Sequence, residues 1–140
     1  MIKIITDSTA DFSTEEASQL QINVVPLKII MNAHEYKDRI DLQPDQFYQL
    51  LATSEILPTT SQPSPQDFLT LYEQAKKQGD QVLVMTLSSS ISGTYQSACI
   101  AKDLAEYDDI HVIDSENATQ GLRLLVEKGY SFTATKQRYQ

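Results

Sequence analysis

The sequence predicts an α/β fold, a mainly parallel open sheet with helices on both faces. Three observations predict it: the apolar segments are short and rich in Ile and Val, helical patterns with their own start signals lie between them, and the links are brief. The 140 residues, 41% of them hydrophobic and 21% charged, supply one core, so one domain is expected. A chain of this size buries roughly two thirds of the surface it exposes when unfolded, and its composition is not that of a disordered segment.

The elements follow in order. Ile2 to Ile5 reads as the first strand. Ser13-Thr14-Glu15-Glu16 has the capping-box form, with Ser13 facing forward and Glu16 reaching back, and opens a helix to about Leu20. Val24 to Met31 reads as a second strand, and the polar, aperiodic stretch Asn32 to Gln43 as a loop or short edge hairpin. Pro44 suits the first position of a helix carrying Phe47, Tyr48, Leu50 and Leu51. Ser64-Pro65-Gln66-Asp67 starts another, with Phe68, Leu71, Tyr72 and Ala75 on one side and Gly79 placed to end it. Val82 to Met85 and His111 to Ile113 read as strands, the stretch from near Gly93 to about Glu106 as a helix. A last helix begins at about Ala118 and contains Leu122, Leu124, Leu125 and Val126. The apolar period fails after Gly129, so residues 1–129 are expected to form the domain and 130–140 an irregular or frayed tail.

Several function classes are set aside by composition. A single cysteine, Cys99, excludes an intrachain disulfide framework and a multi-cysteine metal site, and in its apolar context it reads as a packed small residue. Eleven Lys and Arg against nineteen Asp and Glu give a formal net charge of -8, the wrong sign for gripping nucleic acid or anionic lipid surfaces. No apolar run approaches the ~18 residues of a membrane span, and the amino terminus lacks the form of a signal peptide. A cytoplasmic location is expected.

Small hydroxyl residues recur where strands stop and helices start: Thr6-Asp7-Ser8-Thr9, Leu87-Ser88-Ser89-Ser90-Ile91-Ser92-Gly93-Thr94 and Asp114-Ser115, with Thr59-Thr60-Ser61-Gln62-Pro63-Ser64 as a further cluster. In a parallel sheet they converge on the carboxyl edge, where ligands of such sheets bind. Neutral hydroxyls and free helix amides suit a small anion there. Ser13 and Ser64 are explained fully as caps, whereas Ser88 to Ser92 exceeds what capping needs.

Other chemistries lack required parts. A serine hydrolase needs a base, and only His34, in the polar loop, and His111, at a strand start, are present; there is no Gly-x-Ser-x-Gly elbow. The phosphate-binding Gly-x-x-x-x-Gly-Lys pattern is absent. Asp7 stands where haloacid-dehalogenase-like phosphatases carry their nucleophile, but Thr9 replaces their second Asp. Asp7, Asp11 and Asp114 are candidates for a divalent ion, yet Asp at such positions more often caps or braces loops, and no metal is expected.

Asp7-Ser8-Thr9-Ala10-Asp11, Thr59 to Ser64, Leu87 to Ala98 and Val112-Ile113-Asp114-Ser115 resemble, in order, the motifs of the DegV family of bacterial fatty-acid-binding proteins. The resemblance runs from the start of the chain to about Val126. It implies a long-chain fatty acid such as palmitate in a tunnel, its carboxylate held by Thr60 and Ser92, with Ser61, Ser88, Ser89 and the Gly93 amide close by. It also implies a non-catalytic carrier that presents the carboxylate to a separate fatty acid kinase, with no cofactor. Family members are about twice this length, and their second domain, which closes over the acyl chain, is expected to be missing here. The uncovered apolar surface then predicts a homodimer through the helix from about Ala118 and the region Ile29 to Tyr36, or else a tail from Tyr130 folded across it. The rival readings are a small phosphatase or hydrolase using Asp7 or a serine, and a truncated domain serving only as an interaction module.

Overall fold

The computed structural model describes residues 1–138. Ile2, Ile4 and Ile5 at the amino terminus form β1 (Ile2–Asp7) with Lys3, Thr6 and Asp7, and its neighbouring residues point to opposite faces. The capping box of Ser13 and Glu16 forms as expected, with Glu16 N–H donating to Ser13 Oγ at 3.1 Å and Ser13 N–H to Glu16 Oε2 at 2.8 Å, and opens α1 (Thr14–Gln19).

The run Val24 to Met31 is not one strand but two. β2 (Ile22–Val25) pairs in parallel with β1, while β3 (Lys28–Met31) joins a different, antiparallel sheet. Pro26 lies between them; it has no N–H to continue a ladder, and the next amide, of Leu27, donates instead to Ser8 Oγ at 3.0 Å. The polar stretch after β3 forms the edge hairpin with β4 (His34–Lys37), its turn made by Asn32 and Ala33, both at positive φ as two-residue hairpin turns require.

α2 (Pro44–Thr53) follows, then β5 (Thr59–Ser61), which pairs antiparallel with β3. α3 (Pro65–Gln78) ends where Gly79 takes the left-handed conformation at φ 68. β6 (Gln81–Thr86), α4 (Thr94–Ala105), β7 (Ile110–Asp114) and α5 (Thr119–Arg138) complete the chain. The main sheet has the parallel order β2-β1-β6-β7, and the second has the order β4-β3-β5.

The parallel sheet is covered on both faces. Ile5, Val25, Val82, Val84 and Ile110 pack with Phe68, Tyr72 and Ala75 of α3 and Ala98, Ala101 and Ala105 of α4. Ile4, Ile22 and Met85 face the other way, against Phe12, Ala17 of α1, and Leu122 and Val126 of α5. The expected irregular tail is corrected: α5 continues through Gly129 to Arg138, and Tyr130 packs against the second cluster. Gly129 marks a close approach rather than a stop, since a Cβ there would lie 2.9 Å from Met85 Cε. Tyr139 and Gln140, the end of the expected tail, lie outside the described residues.

Candidate functional site

Three parallel strands, β1, β6 and β7, end side by side, and their last residues begin the site. The loop after β6 folds into a tight turn: Ile91 and Ser92 N–H groups donate to the Ser88 carbonyl at 3.0 and 3.2 Å, and Ser90 N–H donates to Ser88 Oγ at 3.3 Å. Ser88 is buried, Ser92 and Gly93 are half-buried, and Ser89, Ser90 and Ile91 are exposed. Ser92 Oγ accepts Thr94 N–H at 3.3 Å and shares a hydrogen bond of 2.9 Å with Thr94 Oγ1, so this hydroxyl serves the start of α4.

The second hydroxyl cluster is not a pre-helix loop alone, because Thr59, Thr60 and Ser61 form β5, with Thr60 paired to Ile29 and Ser61 to Lys28. Thr59 and Thr60 are exposed and Ser61 is half-buried. The chain then passes through Gln62, whose side chain lies over Gly93: a Cβ at Gly93 would sit 2.6 Å from Gln62 Nε2. The missing side chain at 93 is what lets the two clusters meet, and Gln62, which motif reading left without a role, forms the bridge. Ser64 is engaged separately at the start of α3, its N–H and its Oγ both donating to Asp67 Oδ2, at 2.8 and 2.7 Å.

The carboxylates of this edge are committed to backbone groups. Asp7, fully buried, accepts Thr9 N–H at 3.0 Å on Oδ1, together with the Thr9 hydroxyl, and Leu87 N–H at 2.8 Å on Oδ2. Burial pushes its pKa up, against the lowering effect of those bonds. Asp114 accepts Ser89 N–H at 3.2 Å and Glu116 N–H at 3.0 Å, and hydrogen bonding from Ser89 holds its pKa down. Asp11 pairs with Arg39 at 2.9 Å. The three carboxylates thus face different partners, and the described residues contain no group of three or more His, Cys, Asp or Glu placed to hold a metal. A nucleophile needs an exposed lone pair, so buried and bonded Asp7 does not fit the phosphatase reading. His34 is turned to the Asn32 carbonyl at 2.9 Å, and His111 lies exposed on β7. Cys99 is half-buried on α4 beside Tyr95 rather than packed in the core.

Thr59, Thr60, Ser89 and Ser90 expose the hydroxyl edge to solvent. A cavity of about 380 Å³ lies elsewhere, lined by Ile2, Leu20 and Tyr130 among others, and one of about 260 Å³ lies beside Phe12, Ala17 and Arg39; neither takes a residue from the two hydroxyl clusters. Apolar side chains border the edge instead. Ile91 and Leu57 are 68% and 81% exposed, and Ile30 is paired with Thr59.

A model of the DegV family, described as an uncharacterised protein family, matches residues 1–138. The chain belongs to the DegV family. A DegV domain-containing protein of Clostridium acetobutylicum is 41% identical over 142 residues, covering 96% of this chain and 51% of the relative. Among solved structures, a stearic-acid-binding protein from Eubacterium ventriosum superposes with a TM-score of 0.89 at 31% identity, over 96% of this chain and 48% of that one. The fatty acid kinase B3 protein of Streptococcus pneumoniae, loaded with linoleic acid, gives 0.81 at 29% identity, over 97% of this chain and 49% of its own. The DegV chain described here therefore spans about half the length of these relatives.

Proposed function

We propose that this chain binds the carboxylate of a long-chain fatty acid, such as palmitate, at the edge formed by β5 and the loop between β6 and α4. The observation that carries the reading is the contact of Gln62 with Gly93, which unites two hydroxyl-rich segments beside the start of α4. Thr60 and Ser92 are the proposed head-group ligands, with Ser61, Ser88, Ser89 and the Gly93 amide around them. Helix-start amides and neutral hydroxyls stabilise a carboxylate without a cation. Ile30, Leu57 and Ile91 are placed to meet the first methylenes. The stearic-acid- and linoleic-acid-loaded relatives support this ligand class.

The chain would act as a carrier, presenting the carboxylate to a separate kinase in the cytoplasm, with no cofactor of its own. These 140 residues span about half the length of the relatives, and each acyl methylene they do not bury by themselves forgoes roughly 0.8 kcal/mol, so low lipid occupancy is expected of them alone. Leu124, Leu125 and Phe132, exposed on α5, favour a second copy of the chain as cover, in agreement with the dimer the sequence predicts. Native mass spectrometry of the purified chain tests both: the expected result is a dimer retaining substoichiometric fatty acid. Thr60→Val and Ser92→Ala should each lower fatty acid affinity about tenfold, the loss of one hydrogen bond to a charged group. Affinities equal to wild type in both variants overturn the assignment.

A further inference from the structure

The first motif, Asp7 to Asp11, has no place among the proposed ligands, yet its leading residue reaches the loop that carries them. β6 lies between β1 and β7 in the sheet, and each flanking strand ends in an aspartate, Asp7 on one side and Asp114 on the other. Asp7 Oδ2 accepts Leu87 N–H at 2.8 Å, and Asp114 Oδ1 accepts Ser89 N–H at 3.2 Å. The residue between them, Ser88, supplies the carbonyl on which Ile91 and Ser92 N–H groups close the turn.

We infer that Asp7 and Asp114 are positioning residues, a pair of carboxylates that clamp the Leu87–Ser92 loop from both sides and set the place of its hydroxyls. This rests on the reading of that loop as the head-group site. Neither carboxylate suits a contact with an anionic ligand, which it would repel. Their use is to accept backbone donors that the turn leaves without partners. The two differ in what they require. Asp7 receives donors on both oxygens, from Thr9 on one and Leu87 on the other. An asparagine offers one acceptor oxygen and turns an N–H against the remaining donor. Asp114 receives its two backbone donors, Ser89 and Glu116 N–H, on Oδ1, so one acceptor oxygen suffices for the backbone there, and the Ser89 hydroxyl beside it can donate or accept.

That asymmetry makes the test. Asp7→Asn, Asp114→Ala and Asp114→Asn are compared with wild type by amide NMR and by titration with decanoate. Asp7→Asn and Asp114→Ala should shift the amides of residues 87–92, leave those of α3 in place, and weaken decanoate binding about tenfold. Asp114→Asn should restore wild-type affinity. Wild-type affinity and unmoved loop amides in Asp7→Asn and Asp114→Ala overturn the inference, as does an Asp114→Asn no better than Asp114→Ala, which would make charge the cause. If Asp7→Asn does not fold, the two Asp114 variants decide the clamp. A wild type that does not bind decanoate overturns the head-group reading, and the amide shifts then decide the clamp alone.

Discussion

The helices that cover the parallel sheet and α2, which follows the antiparallel hairpin, carry similar residues and differ in burial. α3 carries Phe68 and Tyr72, both with no exposure, beneath Val82 and Val84, also with none. α2 carries Phe47, Tyr48, Leu50 and Leu51 at comparable spacing, yet buries no residue, and Tyr48 stays 65% exposed. An amphipathic pattern states that a face can be buried, while a facing layer decides whether it is. The candidate site takes one hydroxyl segment from each region. Its loop after β6 hangs from strands held on both sides, and its β5 segment lies at the edge of the small sheet.

The largest expected difference is in stability. Phe68→Ala removes a ring from a closed core and should cost about 3–5 kcal/mol, whereas Tyr48→Ala should stay within ~0.5 kcal/mol. Chemical denaturation of both variants measures this, and similar losses would show that α2 is packed in solution. Hydrogen exchange sharpens the contrast without mutation. Amides of β1 and β6 should exchange only through global unfolding, and those of β4 and α2 through local opening of much lower free energy. Equal protection would mean that the two sheets unfold as one unit.

The smallest effect is a pH dependence confined to the parallel region. Arg123 on α5 bonds Glu16 at 2.8 Å and holds its carboxyl well below the usual range, at about 2. A depressed folded pKa contributes stability above the unfolded value, near 4.5, that is lost as pH falls toward about 2. Glu16→Gln should therefore narrow its deficit against wild type across that window, read as the difference in melting temperature. A deficit constant from pH 6 to pH 2 would assign the effect to contacts that do not depend on the Glu16 charge.

Much of the fold was legible because its signals are local. Ser13, Pro44, Ser64 and Gly79 each act within one turn, and the helices they delimit form where expected. The hydroxyl segments were legible by residue type and order, and with them the family. What the chain alone did not show is non-local. Pro26 splits one apolar run between two sheets because Leu27 finds its acceptor in Ser8, 19 residues away. Gly129, a break by propensity, is a helix interior because Met85 lies against it. Gln62 gains its role from the empty space at Gly93. Asp7, whose neighbours in sequence suggest a nucleophile, is made a loop anchor by an amide 80 residues distant. Caps and turns are set by the few residues that compete for the same backbone groups. Partners brought together across the sheet depend on a packing that no window of sequence contains.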